Sequence, residues 1–366
     1  MEMNTFKLLT PGPLTTTSTV KEKMLIDRCT WDQDYNDITQ KIRAQLLTLA
    51  GVTKEDYTTV LMQGSGSFAV ESVLTTAIAA EDKALLITNG AYGERIVKMA
   101  QYIGLNFVQY SVAYDQYPEE AAIRDLLEKD ATITHIVMVH CETTTGILNP
   151  LEKVAAIAKD YEKTLIIDAM SSFGGIPINV QELGIDYLIS SANKCIQGVP
   201  GFGFVLAKLE KLAACQGNAR SLSLDLYDQW KEMDPNGKWR FTSPTHIVAA
   251  FSQAIDELLD EGGIEARFAR YDNNNRILRQ RLEQLQIHPY ITSEKQSPII
   301  TTFLFPSEAF NFSEFYYFVK EKGYVIYPGK LTDVDTFRIG NIGEIYEEDI
   351  HLLCDIIEQY MGVLVK

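Results

Sequence analysis

The sequence predicts an α/β fold, with a mostly parallel seven-stranded sheet in a large domain and a smaller C-terminal α+β domain. Two observations carry this prediction. From residue 57 to residue 206, short apolar runs alternate with longer segments of helical periodicity, the pattern of buried parallel strands joined by helices. After about residue 210 this alternation stops, and two long helical segments precede a short set of strands.

The elements of the large domain follow one another in order. A helical pattern ends near Leu49 and leads into the alternating region. Continuous apolar runs predict strands that are buried on both faces, and the segments between them predict helices. The predicted strands are 58–62, 84–88, 107–111, 135–140, 164–168, 187–189 and 203–206, and the predicted helices between them are 68–79, 92–102, 119–129 and 151–161.

The C-terminal part has a different order of elements. Its predicted helices are 247–259, 265–285, 313–322 and 346–360, and its predicted strands are 299–305, 324–327 and 336–340. The segment 8–13 at the other end of the chain is too rich in proline to form a helix. We therefore predict an N-terminal arm of residues 1–20, a large domain of residues 21–245 and a small domain of residues 246–366.

Composition and charge exclude several classes of function. A formal net charge of −16 makes nucleic acid and anionic membranes unfavourable partners. No apolar run reaches the length of a membrane span, and residues 1–5 lack the start of a secretory signal. The five cysteines are scattered without a CxxC pair, and the histidines lack metal-ligand spacing. These features predict a cytoplasmic protein with reduced thiols and no metal site.

Two charged residues follow predicted strands in a pattern with chemical meaning. Lys194 comes after the strand at 187–189, and glycines and a proline follow it directly. Asp168 ends the strand at 164–168. Open α/β sheets bind ligands at the carboxyl ends of their strands. A strand-end aspartate and a strand-end lysine are the layout of a pyridoxal phosphate site, although a single loop lysine taken alone is more often solvated.

Polar loops follow three further strands of the predicted sheet. The loop at 63–67 places glycines before a helix whose free N–H groups can bind phosphate, but a plain strand–helix turn fits it about as well. The loop at 89–93 carries an aromatic that could stack on a flat ligand or simply start a helix. The loop at 140–146 carries hydroxyls and a carboxylate, and a helix-capping turn is its alternative. Together with Asp168 these loops surround Lys194, which favours one shared site.

Seven segments of the chain resemble a known family, the fold-type I pyridoxal phosphate enzymes, in their class V aminotransferase branch. The resemblance extends nearly end to end, with no departure at the matched motif positions. The longer strings are most similar to those of branch members that transaminate 2-aminoethylphosphonate with pyruvate. The matched strings are LTPGP at 9–13, QGSGS at 63–67, DAMSSFGG at 168–175, SSANKCIQGVPG at 190–201, RSLSLDLY at 220–227, KWRFTSP at 238–244 and FRIGNIG at 337–343.

The resemblance implies a homodimer with shared active sites, pyridoxal 5′-phosphate as cofactor, an N-terminal arm near the site and a role for each matched position. Lys194 would form a Schiff base with the cofactor and shuttle the proton, and Asp168 would pair with the pyridine nitrogen. Arg338 would bind the substrate anion, although taken alone it fits a surface ion pair equally well. The other implied cofactor contacts are Ser65, Gly66, Ser67 and Asn193 at the phosphate, Thr143 at the ring hydroxyl, Tyr92 and Met170 on the ring faces, and Trp239 and Thr242 from the second subunit.

Other functions stay open at this point. Arg240 and Lys330 are weaker candidates for a second phosphonate contact. The chain could be another class V enzyme, such as an alanine–glyoxylate aminotransferase or a cysteine desulfurase, although Cys195 and Cys215 are poorly placed for a desulfurase nucleophile. It could also be a non-enzymatic pyridoxal-binding or nucleotide-binding module. If the protein has a visible absorption band that shifts when an amine is added, a simple nucleotide-binding module is excluded. If it turns over substrate with pyruvate, a non-enzymatic regulator is excluded.

Overall fold

The structure is a computed structural model that describes residues 6–331 and 333–364. Fourteen strands and twelve α-helices are found in this part of the chain. The strands are β1 Lys7–Leu8, β2 Tyr57–Gln63, β3 Lys83–Thr88, β4 Asn106–Ser111, β5 His135–Val139, β6 Cys141–Glu142, β7 Ile147–Leu148, β8 Thr164–Asp168, β9 Tyr187–Ser191, β10 Phe202–Lys208, β11 Ile300–Leu304, β12 Tyr324–Val325, β13 Tyr327–Pro328 and β14 Thr336–Gly340.

The helices account for most of the remaining ordered backbone. They are α1 Ser18–Glu22, α2 Gln33–Leu49, α3 Gly66–Ala77, α4 Ala91–Ile103, α5 Glu120–Lys129, α6 Leu151–Asp160, α7 Leu209–Ala213, α8 Leu226–Met233, α9 Thr245–Asp260, α10 Gly263–Gln284, α11 Phe312–Glu321 and α12 Glu347–Leu364. None of the helices within 6–331 and 333–364 is both long and apolar enough to cross a bilayer.

The central sheet has seven strands in the order β2-β10-β9-β8-β5-β3-β4. Strand β10 runs antiparallel to both of its neighbours, and the remaining pairs are parallel. Strands β5, β8 and β9 are buried along their whole length. Because helices cover both faces of such a sheet, its central strands are mostly apolar on both faces, and that is why they could be recognised as apolar runs. The predicted fold class is confirmed.

Two apolar layers enclose this sheet, one on each face. The helix α9, which begins at the predicted start of the small domain, contributes Val248, Phe251 and Ile255 to one of these layers. It therefore shares the core of the large sheet, because its apolar face packs on α2 and on the strands. The division at residue 245 stays a prediction.

The C-terminal elements form a second core of their own. Strands β11, β14 and β13 make a three-stranded antiparallel sheet, with Phe303 and Phe337 stacked between facing positions. Helices α10, α11 and α12 supply the rest of this core. The sheet matters for function because Arg338 stands at the middle of β14.

The single strand predicted at 324–327 is wrong in one respect. Its first half, β12, pairs with β1 from the N-terminal arm, whereas β13 pairs with β14. The break occurs because the two halves bond to different sheets, which a local pattern cannot reveal. The short helices α1, α7 and α8 and the β6–β7 hairpin were not predicted from the sequence either. Residues 1–5 of the predicted arm lie outside the described residues.

Candidate active site

A cavity of about 420 Å³ lies at the carboxyl ends of the parallel strands. Loops that follow β2, β3, β5, β8 and β9 converge on it, as expected for an open α/β sheet. Cavities of this size hold small ligands and cofactors. Eight residues predicted from the sequence line it: Ser65, Gly66, Ser67, Tyr92, Asp168, Met170, Asn193 and Lys194.

Lys194 stands on the loop after β9, with its ammonium group inside the cavity wall. Its Nζ donates a hydrogen bond of 2.5 Å to the carbonyl oxygen of Pro11, and the backbone of Gly12 packs against the side chain. The N-terminal arm therefore contacts the lysine directly. Burial lowers the pKa of Lys194 to about 8, although Cys195 and Asp168 act in the opposite direction. An amine with this pKa is partly unprotonated near neutral pH and can act as a nucleophile or a base.

The lysine loop is held in place by an ionic network on α10. Arg267 donates 2.7 Å to the carbonyl oxygen of Cys195, and Arg270 donates 2.9 Å to the side chain of Gln197. Both arginines also pair with Glu261, at 2.6 and 2.7 Å. Gln197 adopts a positive φ of 66°, a conformation that needs such support in a residue other than glycine. The network fixes the position from which Lys194 extends.

Asp168 ends β8 and presents a buried carboxylate to the same cavity. It is 7% exposed, and its Oδ1 accepts a hydrogen bond of 2.9 Å from the N–H of Met170. Burial raises the pKa of Asp168 to about 6, while the Met170 hydrogen bond opposes the rise. A buried carboxylate is stabilised by a cationic partner. Within the cavity, a protonated ring nitrogen of a ligand would meet that need.

The start of α3 lines one end of the cavity and has the features of an anion site. Ser65 is the N-cap residue with extended backbone, and no side-chain capping bond occupies the first turn of this helix. The free N–H groups of a helix N-terminus bind anions. A Cβ at Gly66 would meet the thioether end of Met170, so the backbone of Gly66 and this side chain are in close contact in the cavity wall. Arg95, which sequence reasoning missed, donates 3.3 Å to the Ser67 hydroxyl.

Glu142 holds the helix that carries Tyr92. Its Oε2 accepts hydrogen bonds of 3.1 Å from the N–H groups of Tyr92 and Gly93, and its Oε1 accepts bonds from Thr144. Burial raises the pKa of Glu142, and these hydrogen bonds oppose the rise. The sequence offered a helix-capping turn as one interpretation of the loop at 140–146. The loop does cap a helix, but that helix is α4, which lies about fifty residues earlier in the chain. It orients the aromatic ring toward the cavity.

Arg338 is buried beside the cavity. It is 3% exposed, so the alternative of a surface ion pair is wrong. Its Nε donates 3.0 Å to the carbonyl oxygen of Pro328 and its Nη1 donates 3.0 Å to that of Thr143. Its guanidinium also lies 5.2 Å from the ring centre of Tyr327. Burial lowers the pKa of Arg338, and the hydroxyls of Tyr92 and Tyr327 oppose this. These contacts fix the orientation of the planar fork.

Four predicted site residues do not line the cavity of their own chain within the part that the structure describes: Thr143, Trp239, Thr242 and Arg338. Arg338 is next to the cavity, because its guanidinium interacts with the hydroxyl of the cavity-lining Tyr92, and Thr143 is bonded to Arg338. Trp239 is buried in its own core, where its ring meets Phe202 edge to face. Trp239 also lines a second opening together with Phe68 and Phe241, and its contact with a second subunit stays a prediction. Thr242 is exposed.

Sequence reasoning missed residues that line the cavity. Ser191 lies three positions before Lys194, and a hydroxyl at a strand end was a usable signal. Pro13 enters from the N-terminal arm, and Arg95 and Cys141 enter from α4 and from the loop after β5. The position of Arg95, three residues after Tyr92 on a helix, placed it on the same face. Pro13 belongs to the matched string at 9–13 in the arm expected near the site, but it was assigned no role, and no local signal identified Cys141.

The fold and the site together define a class of enzyme, and comparison with known proteins agrees. A sequence model of the family described as Aminotransferase class-V matches residues 28–333. The chain belongs to the class-V aminotransferase family. Members of this family use pyridoxal 5′-phosphate, which is the cofactor of this chain. An alanine–glyoxylate aminotransferase from Nostoc shares the fold with a TM-score of 0.89 at 23% identity, over 98% of this chain and 96% of that one.

Closer relatives carry a more specific name. The chain is 63% identical over 361 residues to a 2-aminoethylphosphonate–pyruvate transaminase from Lysinibacillus sphaericus, covering 99% of both chains. It is 56% identical over 366 residues to a protein of the same name from Bacillus cytotoxicus, covering 100% of both.

The residues of the cavity fit pyridoxal phosphate. The open first turn of α3 suits the phosphate, and the buried carboxylate of Asp168 suits a protonated ring nitrogen. Tyr92 and Met170 line the cavity and provide an aromatic and a thioether surface for a flat ring. Lys194 lies in the same cavity with a lowered pKa, as covalent attachment to an aldehyde requires.

The structure also bears on the desulfurase alternative. Cys195 is buried and donates to the carbonyl oxygen of Ser171, and burial raises its pKa to about 12. Burial raises the pKa of Cys215 as well. A desulfurase nucleophile must be an accessible thiolate. Neither thiol meets that requirement.

Proposed function

We propose that this enzyme transfers the amino group of 2-aminoethylphosphonate to pyruvate, giving phosphonoacetaldehyde and L-alanine. The observation that carries the proposal is the 63% identity, over 99% of both chains, to a relative that bears this name. The chemistry of the cavity supports it, because the cavity combines a lysine, a buried carboxylate and a neighbouring arginine.

The chain supplies three functions to the reaction. When bound, pyridoxal phosphate provides an electron sink for the pair left when the donor's amino carbon loses its proton. The Nζ of Lys194 would take that proton and, in the pyruvate half-reaction, deliver a proton to the carbon that becomes the α-carbon of alanine, which its pKa of about 8 allows near neutral pH. The carboxylate of Asp168 holds a proton at the ring nitrogen. The cavity walls from α3 and α4 limit the access of water.

The substrates differ in the anion that positions them. The amino carbon of 2-aminoethylphosphonate bears no carboxylate, so the phosphonate must orient the reacting C–H bond. Pyruvate presents a carboxylate instead. An enzyme that handles both substrates in turn at one pocket needs a cation that accepts either anion. The guanidinium of Arg338 can do so, because its fork forms paired hydrogen bonds with both groups.

Replacing Arg338 by alanine should lower kcat/KM at least about tenfold in each half-reaction, because hydrogen bonds to charged groups are worth about 1.5–3 kcal/mol. Each half-reaction can be followed separately by the change in the cofactor's visible absorption. Arg281, which pairs with Asp355 at 2.8 Å on α12, offers a control. Its alanine variant should keep both rates within about twofold. A normal pyruvate half-reaction in the Arg338 variant would contradict the shared role.

We also propose that the enzyme is a homodimer with shared active sites. Phe68, Leu222 and Phe241 expose large apolar surfaces, with Leu222 74% exposed. Phe68 and Phe241 line a second opening of about 510 Å³ that shares Gly64 with the phosphate-binding end of the active-site cavity. Exposed apolar groups gathered at one place favour an interface. A second copy of the chain would cover them and bring the exposed Thr242 toward the partner's phosphate site.

Mixed dimers test this arrangement. Refolding a Lys194→Ala parent with a Thr242→Pro parent should restore about a quarter of the wild-type activity, because half of the dimers are mixed and each has one intact site. Each parent refolded alone should stay inactive. Sedimentation at the assay concentration should show dimers. Full activity from a monomer in dilute solution would contradict the proposal.

We place the enzyme in the cytoplasm. All five cysteines are free, and four of them are buried. Such thiols are typical of proteins in a reducing compartment.

A panel of amino donors tests the proposed reaction. The purified enzyme, with pyruvate as acceptor, would be given 2-aminoethylphosphonate, taurine, β-alanine, glutamate or serine, and the alanine formed would be measured. We expect 2-aminoethylphosphonate to give the highest kcat/KM. If glutamate or serine is the better donor, the family membership stands but the proposed substrate is wrong.

A further inference from the structure

A group of three cations surrounds the ring of Tyr92 at the rim of the active-site cavity. The Nζ of Lys330 lies 4.0 Å from the ring centre, and the guanidinium of Arg95 lies 4.9 Å from it. Arg338 is the third member, because its guanidinium interacts with the Tyr92 hydroxyl. Burial lowers the pKa of Lys330. Arg95 and Arg338 lower this pKa further, and the carboxylate of Glu142 opposes them. In a chain with a net charge of −16, such a local excess of positive charge favours an anionic ligand.

The three cations are not equivalent. Arg95 donates to the Ser67 hydroxyl, at the phosphate-binding end of the cavity. Arg338 is fixed by two carbonyl oxygens and is oriented as a rigid fork. Lys330 lies two residues beyond β13, is half-buried, and has a flexible stem that carries a compact charge. Lys330 can therefore adjust to a ligand that Arg338 has already oriented.

The two substrates differ in charge and in the number of acceptor oxygens. A phosphonate resembles a phosphate ester, which carries between about one and two negative charges near neutral pH and has three acceptor oxygens. A carboxylate carries one charge and two oxygens. A guanidinium fork binds two oxygens and neutralises one charge. When such a fork binds the phosphonate, one phosphonate oxygen and part of the negative charge stay without a partner. When it binds the carboxylate of pyruvate, both carboxylate oxygens and the whole charge are paired.

We propose that Lys330 is a specificity-determining residue that binds the third oxygen and the second charge of the phosphonate and makes no comparable contact with the carboxylate of pyruvate. This inference rests on the proposed reaction and deepens it. Arg338 then serves both half-reactions, and Lys330 serves the phosphonate half-reaction alone. Preference for the phosphonate over a carboxylate of similar length is the expected consequence.

Replacing Lys330 by methionine, which keeps the length of the side chain and removes its charge, tests the proposal. We expect kcat/KM for 2-aminoethylphosphonate to fall about ten- to a hundredfold, because one charge-assisted contact is lost. The half-reactions with alanine and pyruvate should stay within about twofold. Lys330→Arg should recover most of the phosphonate activity. The visible spectrum of each variant should show full cofactor occupancy, so that a loss cannot come from the cofactor.

Two analogues of the donor, one sulfonate and one carboxylate, separate the effect of charge from the effect of the third oxygen. Taurine has three oxygens and a single charge, and β-alanine has a carboxylate. β-Alanine offers Lys330 neither a third oxygen nor a second charge, so Lys330→Met should change its rate less than about twofold. Taurine offers the third oxygen without the second charge, so its rate should fall, but by less than the rate with the phosphonate. The ratio of 2-aminoethylphosphonate to β-alanine activity should then drop by most of the loss seen with the phosphonate, and the ratio to taurine activity by a smaller factor. A loss of the same size for every donor and for pyruvate would mean general damage and would overturn the proposal.

Lys320 provides the matched control. It is another lysine on the same part of the chain, with its Nζ 5.6 Å from the ring of Tyr316. Lys320→Met should leave both half-reactions unchanged. If the wild-type enzyme uses 2-aminoethylphosphonate and the Lys330→Met variant uses it equally well, this inference is overturned and the proposed function stands. A wild-type enzyme that does not use the phosphonate would overturn both.

Discussion

Replacing Lys194 by alanine should abolish transamination while the chain stays folded. The lysine is the single ammonium group inside the cavity lining of the described residues, and its Nζ is the atom proposed to link to the cofactor and to carry the proton. Rates measured with 2-aminoethylphosphonate and pyruvate should fall to background. The visible band of the covalently held cofactor should disappear, although cofactor could still bind through its phosphate.

Borohydride reduction of the wild-type enzyme adds a direct assignment. The reduced protein should carry the cofactor on the peptide that contains Lys194. Lys211→Ala is the control, because Lys211 bonds to the Thr164 hydroxyl at the opposite end of β8. That variant should keep its activity and its spectrum. Labelling of any other lysine would contradict the assignment.

The second large effect is expected for Asp168→Asn, which keeps the shape of the side chain and removes its charge. Removing one partner of a buried charge pair costs roughly 3–5 kcal/mol. If most of that loss is felt in the transition state, kcat should fall by about two to three powers of ten. The measurement is kcat in steady state, with circular dichroism to confirm the fold.

Asp186 is a matched control for this variant. It is also buried, its pKa is also raised mainly by burial, and its Oδ2 accepts 2.8 Å from the N–H of Leu165 at the other end of β8. Asp186→Asn should lower the free energy of unfolding and leave kcat within about twofold. Near-normal turnover in Asp168→Asn would mean that the ring nitrogen is not held by this residue.

The sequence predicted the central sheet well because its middle strands are buried on both faces. In β5 and β8 the apolar residues follow one another without a polar break, at 136–139 and 165–167, which is the pattern of a strand covered on both faces. The ends of the strands carried the second signal. Polar residues and glycines there mark the side of the sheet where ligands bind, and Asp168 and Lys194 were found in this way.

Other parts of the site could not be read from the sequence, because they depend on contacts between distant segments. Glu142 caps a helix that begins some fifty residues earlier. Lys330 reaches the ring of Tyr92 from the C-terminal part of the chain. Trp239 matched a family motif, but its burial against Phe202 follows from the packing of the whole domain. Charge and proximity to a motif were the two signals that the sequence held for Lys330.

The most direct test of the central claim is the product balance from 2-aminoethylphosphonate and pyruvate. Phosphorus NMR would follow the phosphonate during turnover, while alanine is measured in the same samples. We expect one phosphonoacetaldehyde for each alanine, with the carbon–phosphorus bond intact and no inorganic phosphate. Alanine without phosphonoacetaldehyde, or release of inorganic phosphate by the purified enzyme, would contradict the proposed transamination.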